Sequence, residues 1–321
     1  MAKSSELKLT KSILSKQLRG EAGYMSGYYI INGKKIYVYM GNSSKIPVLY
    51  IHGAPGIGVL DMEKYQSENF YPNYFLIAPE QRGVWRSEDL KEDEPYSMDL
   101  IIEDYEQLRK QLKIEKWIVL CHCIGARTAL EYYRRHPESV LMILCENPVF
   151  DSLSAFEQVI RIQLSFVARK NLSDFELLSK ELQTIKNPLD LEKFCQKLEK
   201  KTSIQANNLT MSKETIKKLS KIKTDFDIDL FMRSRKTEIK MSHCESLYEK
   251  IYDIMESVKV PMLVMFGEND VTFSKNALAR IKNQVRGCEF KEFKNCKHWI
   301  HLDSQQEYFE CVDGFIKKNL A

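Results

Sequence analysis

Three side chains of this 321-residue chain combine into one kind of chemistry. Cys123 lies in C-H-C-I-G (121–125), where an apolar run of strand length, Ile118 to Leu120, gives way to a helix-like pattern with Ala129, Leu130 and Tyr133 on one face. Asp270 closes F-G-E-N-D (266–270) after a second apolar run, and His298 stands in N-C-K-H-W (295–299) after a third. A thiol is a weak nucleophile until a base takes its proton; a helix N-terminus and an adjacent imidazole both favour the thiolate. A carboxylate fixes the tautomer and orientation of that imidazole. Delivered to the ends of three strands, these groups are the parts of a covalent acyl-transfer site. Taken singly, each has a plainer reading: a buried strand ending in structural cysteines, an ordinary loop carboxylate, a surface histidine.

The elements around them set the positions. Gly27 to Ile31 and Ile36 to Tyr39 are strand-like and joined through Asn32-Gly33, which predicts a tight hairpin of type I′. Strands at Val48 to Ile51 and Tyr74 to Ala78 lead into H-G-A-P-G (52–56) and E-Q-R-G-V-W-R-S (80–87). After a charged loop, Glu88 to Glu94, a helix capped by Ser97 reaches Leu112 with Leu100, Ile101, Tyr105 and Leu108 on its apolar face. The elbow helix ends near His136-Pro137, and Val140 to Cys145 is another strand. Strands alternating with helices at this spacing predict an α/β fold, a mostly parallel central sheet with helices on both faces. From about Asn147 the texture turns helical and lysine-rich: Ala155 to Val167, Ser173 to Thr184, Leu189 to Lys200, Lys213 to Lys221 and Cys244 to Ser257. The α/β pattern then resumes with strands at Val260 to Phe266 and Glu289 to Phe293 and helices at Ser274 to Gln284 and Ser304 to Lys317. Residues 1–146 and 259–321 are thus read as two parts of one core, and 147–258 as an inserted helical cap over the sheet's carboxyl edge, where ligands bind in such sheets. The apolar residues of the cap, among them Phe156, Leu164, Phe175, Leu177, Leu178 and Phe194, are expected to divide between packing on the core and lining the pocket.

Composition removes several functions. Charged residues make up 29% of the chain and the net charge is only +4, with the lysines dispersed, so no electrostatic case exists for nucleic acid. No apolar run is long enough for a transmembrane segment, and the first residues, M-A-K-S-S-E-L-K, interrupt any signal-peptide core. Lys8 to Arg19 could form a short basic amphipathic helix, read as a solvated N-terminal helix or tail. Eight cysteines in a chain of this length do not read as a disulfide framework, which makes a reducing cytoplasm the simplest setting. No C-x-x-C pair occurs, and neither a metal nor another cofactor is expected. Composition leaves the oligomeric state open.

Acyl transfer also requires backbone N–H groups aimed at the developing oxyanion. Ile124, which opens the elbow helix, supplies one. The 52–56 loop supplies the second from Ala54, with Gly53 and Gly56 letting the backbone turn and Pro55 stiffening it beside His52. These stretches resemble the α/β-hydrolase superfamily, and within it the proline iminopeptidase branch. That branch is marked by H-G-G-P-G, D-Q-R-G-x-G-x-S and G-G-S-W-G, against H-G-A-P-G, E-Q-R-G-V-W-R-S and C-H-C-I-G here. The chain order Cys123, Asp270, His298 is the superfamily's order of nucleophile, acid and base. The resemblance covers about residues 25–146 and 258–320. It implies the α/β-hydrolase fold with an inserted cap, His122 packed beneath the site, and His298 rather than His301 as the base. Arg82 is read as a brace for its loop and Arg127 is left outside the site.

The departures decide what is expected of the chemistry. Cysteine replaces serine, Cys121 replaces the first elbow glycine, and Glu80 stands where the branch has aspartate. Cys121 and Cys296 bring two further thiols near the nucleophile in sequence. The branch holds a substrate's free amine with a tryptophan- and glutamate-containing cap segment, whereas Trp85, Trp117 and Trp299 all lie outside this cap. The preferred reading is a cysteine-dependent enzyme acting on an ester, thioester or activated amide, by hydrolysis or acyl transfer. Its substrate is a small-molecule or short-peptide acyl compound, including one held on a carrier. The alternatives are an aminopeptidase of the iminopeptidase type and a binding protein on a hydrolase scaffold.

Overall fold

The computed structural model describes residues 26–320 apart from 186, 187, 223–226, 250 and 274; the helix expected over residues 8–19 lies outside the described residues. Among the described residues eight strands form one sheet: β1 (Gly27–Ile31), β2 (Lys34–Met40), β3 (Ile46–Ile51), β4 (Tyr74–Pro79), β5 (Trp117–His122), β6 (Val140–Glu146), β7 (Met262–Gly267) and β8 (Glu289–Phe293). Their order is β1-β2-β4-β3-β5-β6-β7-β8, with the hairpin antiparallel at one edge and every pairing from β4 to β8 parallel. The hairpin turns through Asn32 at φ 46° and Gly33 at φ 78°, the type I′ geometry expected of Asn-Gly. Because β3 to β8 run parallel, their carboxyl ends share one edge, and the three sequence-predicted catalytic segments all leave the sheet there.

The central strands read as continuous apolar runs because both faces are covered. Alternate residues such as Ile51, Val119, Cys121, Ile143 and Val264 face one layer; Tyr50, Ile118, Leu120, Leu144 and Met265 face the other. Helix α1 (Leu60–Tyr65) adds Met62 to the second layer. Helices α2 (Met98–Gln111) and α3 (Gly125–Arg135) pack on the first. Ser97 caps α2 by accepting from the Leu100 N–H, as its sequence predicts. Leu100 itself is exposed; the buried stripe is Ile101, Ile102, Tyr105 and Leu108, one residue round the helix from the expected face.

Between β6 and β7, in the segment expected to be a cap, lie α4 (Ser152–Lys170), α5 (Leu172–Thr184), α6 (Pro188–Thr202), α7 (Ala206–Thr210), α8 (Lys213–Ile222) and α9 (Ile228–Ser242). Leu164, Leu178 and Phe194 pack with Val159, Ile160, Leu191 and Leu198 into a small core of their own, and Leu177 is exposed, while Phe150, Leu247, Ile251 and Met255 of the same segment pack on the α/β core. Helix α9 is invisible to an apolar-periodicity reading because its polarity is reversed. Its fully buried residues are Ser234 and Thr237, whereas Ile228, Met232 and Ile239 face outward. The helix docks through hydrogen bonds onto loop 80–94: Trp85 N–H donates to Ser234 Oγ (2.9 Å), Thr237 Oγ1 to the Gly83 carbonyl (2.7 Å), and Arg233 to the Trp85 and Ser87 carbonyls. Lys240 Nζ donates to the carbonyls of Lys91, Glu92 and Glu94. The helix expected over Cys244 to Ser257 is instead a short 3₁₀ turn, Glu245–Leu247, and a separate helical turn, Tyr252–Glu256.

The core closes with α10 (Lys275–Gln284), α11 (Ile300–Asp303) and α12 (Gln305–Leu320), the last packing Tyr308, Val312 and Ile316 on the second sheet face. Ser212 and Thr215 at the start of α8 both donate to Asp303, and Lys218 to the Leu302 carbonyl, so the cap is fastened beside the histidine segment as well.

The elbow helix meets β3 closely at Gly125, where a β-carbon would lie 2.6 Å from the carbonyl oxygens of both Ile51 and His52. Those oxygens are backbone and cannot swing away. Gly125→Ala should therefore lower the unfolding free energy by about 1–3 kcal/mol in chemical denaturation; wild-type stability would show that α3 does not sit this close to β3.

Candidate active site

The elbow between β5 and α3 turns at Cys123, whose φ of 55° lies in the left-handed region. A non-glycine residue held there is strained by about 1–3 kcal/mol and persists only where its surroundings hold it. Here the Cys123 N–H donates to the Glu146 carbonyl (3.1 Å), and its own carbonyl accepts from Ala126 (3.2 Å) and Val149 (3.0 Å). The turn separates the two elbow cysteines. Cys121 is fully buried, its thiol against the Leu144 carbonyl at 3.4 Å and Cys145 Sγ at 3.5 Å, whereas Cys123 is partly exposed. A cysteine fits the first flanking position because its side chain turns into the core, while only glycine fits the second.

Asp270 and His298 meet in space although 28 residues separate them. His298 Nδ1 lies 2.9 Å from Asp270 Oδ2, both side chains being buried. Burial alone would pull the imidazole's pKa down. The charges on Asp270 and then Cys123, with hydrogen bonds to both, outweigh burial and hold His298 well above the ordinary histidine value. Asp270 is held low in turn: burial opposes its charge, but His298 and the hydrogen bonds from Thr272 prevail. Thr272 is a site residue that sequence reasoning missed. Its N–H (2.8 Å) and Oγ1 (2.7 Å) both donate to Asp270 Oδ1, and Oγ1 lies 3.0 Å from His298 Nδ1. The cap reaches the same segment, the Thr210 carbonyl accepting the His298 backbone N–H at 3.1 Å.

The 52–56 loop lies against the nucleophile. A β-carbon at Gly53 would come 2.9 Å from Cys123 Cβ, so only glycine lets this backbone approach. Buried His52 accepts from the Gln81 N–H at Nε2 (3.1 Å), which leaves Nδ1–H to donate to the Gly53 carbonyl (3.0 Å). Burial pulls its pKa down to about 4, so it is a neutral brace. Pro55 accepts from the Gly58 N–H (2.8 Å), and Gly56 turns at φ 37°. Ala54 is exposed, and among the described residues neither its N–H nor that of Ile124 is donated to a protein acceptor.

The remaining candidates sort themselves by contact. His122 packs beneath the site with its ring centroid 5.0 Å from that of His298, and Nε2 donates to the His298 carbonyl (2.9 Å). Burial brings its pKa down to about 4. Arg82 braces its loop through paired bonds to Asp104 and a third to Glu94. Arg127 donates to the Glu249 carbonyl on the segment returning from the cap. Cys296 is buried and its thiol is pushed up to about 12 by desolvation, which removes it from thiol chemistry near neutrality. All eight cysteines are unbridged, and among the described residues no cluster of His, Cys, Asp or Glu is arranged to hold a metal ion.

Beneath this site lies a second histidine with both ring nitrogens occupied. His301 Nδ1 meets Glu146 Oε1 at 2.8 Å and Nε2 meets Asp61 Oδ2 at 3.1 Å, all three residues being buried. Burial opposes the charge, yet Glu146 and Asp61 raise His301 to about 10, and both carboxylates are held below their ordinary range by it. Sequence offered one signal for this network, a carboxylate closing the apolar run V-L-M-I-L-C-E at a strand's carboxyl end.

The folded-state pKa of His301 is raised from 6.5 to about 10. Its stabilisation is therefore complete below about pH 6.5 and lost as the pH rises through about 10. The two carboxylates act oppositely, losing their contribution on acidification. His301→Gln, which leaves two buried carboxylates without a cation, should cost about 3–5 kcal/mol. Thermal unfolding measured against pH should show the wild-type loss near pH 10 and its absence in the variant.

Comparison with known proteins extends these observations to the whole chain. Residues 46–305 match the family model described as alpha/beta hydrolase fold. An epoxide hydrolase of Caenorhabditis elegans is 22% identical over 320 residues, covering 96% of this chain and 75% of that protein. A proline iminopeptidase of Neisseria gonorrhoeae is 32% identical over 102 residues, 31% of this chain and 32% of that protein. Among solved structures, a proline iminopeptidase-related protein from Thermus thermophilus superposes with a TM-score of 0.69 at 17% identity, over 92% of this chain and 97% of that one. Among the described residues no helix is long and apolar enough to cross a membrane. With its mostly parallel eight-stranded sheet and a family match over residues 46–305, the chain belongs to the alpha/beta hydrolase fold family.

Proposed function

We propose that the chain is a cysteine-dependent acyl-transfer enzyme with Cys123, His298 and Asp270 as nucleophile, base and orienting acid. The observation that carries this reading is His298, bonded to Asp270 through Nδ1 and linked to Cys123, at an elbow strained into the left-handed region. His298 takes the Cys123 proton as the sulfur bonds to the carbonyl carbon of an ester, thioester or activated amide. The Ala54 and Ile124 N–H groups receive the developing oxyanion. Collapse breaks the bond to the leaving group, which takes the proton from His298 and departs, leaving a thioester on Cys123. Water, or an alcohol or amine acceptor, then gives its proton to His298 and attacks the thioester, releasing the acyl product and restoring the thiol. Thr272 keeps the Asp270 carboxylate in place through both steps.

On mixing with a short-chain acyl thioester, the wild-type chain should gain the acyl mass in intact-protein mass spectrometry and Cys123→Ala should not. Asp270→Asn should slow adduct formation by about 10⁴-fold, because the wrong tautomer faces the thiol. Absence of an adduct on wild type, or an equal one on Cys123→Ala, sinks the proposal.

A second reading, an aminopeptidase, is favoured by one feature of the cap. Burial raises the pKa of Glu238 on α9, Arg235 opposes, and the nearby charge of Glu192 on α6 adds to the rise. These two carboxylates, on different helices, are the candidate anchor for a substrate ammonium under this reading. If they hold it, short peptides with a free N-terminal proline should be cleaved and their acetylated forms should not. Equal cleavage of both eliminates the ammonium anchor.

A further inference from the structure

Asn147 has no part in the chemistry proposed above, yet it sits where the three reacting segments meet. It follows β6, fully buried, with φ of 40° in the left-handed region. Its Nδ2 donates to the Lys297 carbonyl at 2.9 Å, its Oδ1 accepts the Gly267 N–H at 2.8 Å, and its own N–H donates to the Met265 carbonyl at 2.8 Å. Lys297 immediately precedes His298, and Gly267 opens the turn that ends at Asp270. Glu146, its neighbour, accepts the Cys123 N–H through its carbonyl and the His301 N–H through its carboxylate. The junction has no slack: a β-carbon on Gly267 would lie 2.2 Å from the same Lys297 oxygen that the Asn147 amide holds.

We infer that Asn147 is a positioning residue, its carboxamide setting the segment that carries His298 against the segment that carries Asp270 and, through Glu146, against Cys123. The inference rests on the reading of these three residues as one reacting unit. Only a carboxamide supplies a donor toward Lys297 and an acceptor toward Gly267 at this length. An aspartate keeps the size, the acceptor and the tolerance of a left-handed backbone, but turns a negative oxygen toward the Lys297 carbonyl. Asn147→Asp therefore isolates the donated bond, and Asn147→Gly removes both side-chain bonds without adding backbone strain.

The test reads the Cys123–His298–Asp270 unit without needing its substrate. Iodoacetamide alkylation of Cys123 is followed by mass spectrometry per folded molecule, and the downfield proton resonance of the His298–Asp270 hydrogen bond by NMR. His298→Ala is the reference, and Tyr74→Phe, which loses a bond to Asp313 at the opposite end of the sheet, is the control for stability alone. Both Asn147 variants should slow alkylation on the order of tenfold to a hundredfold and shift or broaden the resonance, while Tyr74→Phe leaves both unchanged. Folded Asn147 variants with the wild-type rate and resonance overturn the inference, and so does failure of both to fold, which assigns Asn147 to stability. Alkylation of His298→Ala at the wild-type rate instead overturns the reacting unit itself.

Discussion

The site depends first on a backbone constraint, the left-handed turn at Cys123 held against the end of β6. The Cys123 N–H bonds to the Glu146 carbonyl and the Val149 N–H returns to the Cys123 carbonyl, so the elbow is stapled on both sides to the neighbouring strand's exit. Side chains alternate along a strand, and a slip of one residue would exchange every inward position for an outward one. Cys121 and Cys123 show how much rests on this. Two residues apart, one thiol is sealed in the core and the other stands partly exposed beside His298, because the chain leaves strand geometry between them.

Four buried histidines lie in or beneath the candidate site, and their hydrogen bonds differ. His52 spends one nitrogen on Gln81 and the other on Gly53, and His301 spends its two on Glu146 and Asp61. His122 gives Nε2 to the His298 carbonyl, and burial keeps the ring neutral. His298 alone has one nitrogen oriented by a carboxylate and a link to the thiol. The deep cation at His301 has a different role. It lets Asp61, beyond the 52–56 loop, and Glu146, behind the elbow, be buried together, tying those segments to the one that carries His298.

Helix α9 is joined to the core through polar contacts. Helix α9 turns Ser234 and Thr237 inward and finds backbone carbonyls and N–H groups of loop 80–94 as partners. Buried polar atoms cost little when each is satisfied in this way. The meeting point needs Gly83, where a β-carbon would lie 2.4 Å from Thr237 Oγ1. Apolar residues of this segment serve two places: Val159, Ile160, Leu164 and Phe194 form a small core of their own, and Phe150, Leu247, Ile251 and Met255 pack on the α/β core.

The sequence by itself determined the sheet, the elbow and the chain order of the three candidate side chains, Cys123, Asp270 and His298. Those features are local: continuous apolar runs make strands covered on both faces, Asn-Gly makes a type I′ turn, and a strand that runs into a helix makes an elbow. It pointed to His298 rather than His301 as the candidate base only through the resemblance of N-C-K-H to a known histidine segment. Thr272, Asn147 and the His301 network were decided by the tertiary structure alone. Each acts through partners brought together by folding (28 residues apart for Thr272's partners Asp270 and His298, 120 and 150 for Asn147, 155 and 240 for His301), and no periodicity encodes such pairs. Helix α9 escaped for a related reason. Apolar spacing reveals a helix only when its buried face is the apolar one, and here the buried face takes its stability from carbonyls that the chain supplies about 150 residues earlier, as at Thr237 and Gly83, 154 residues apart.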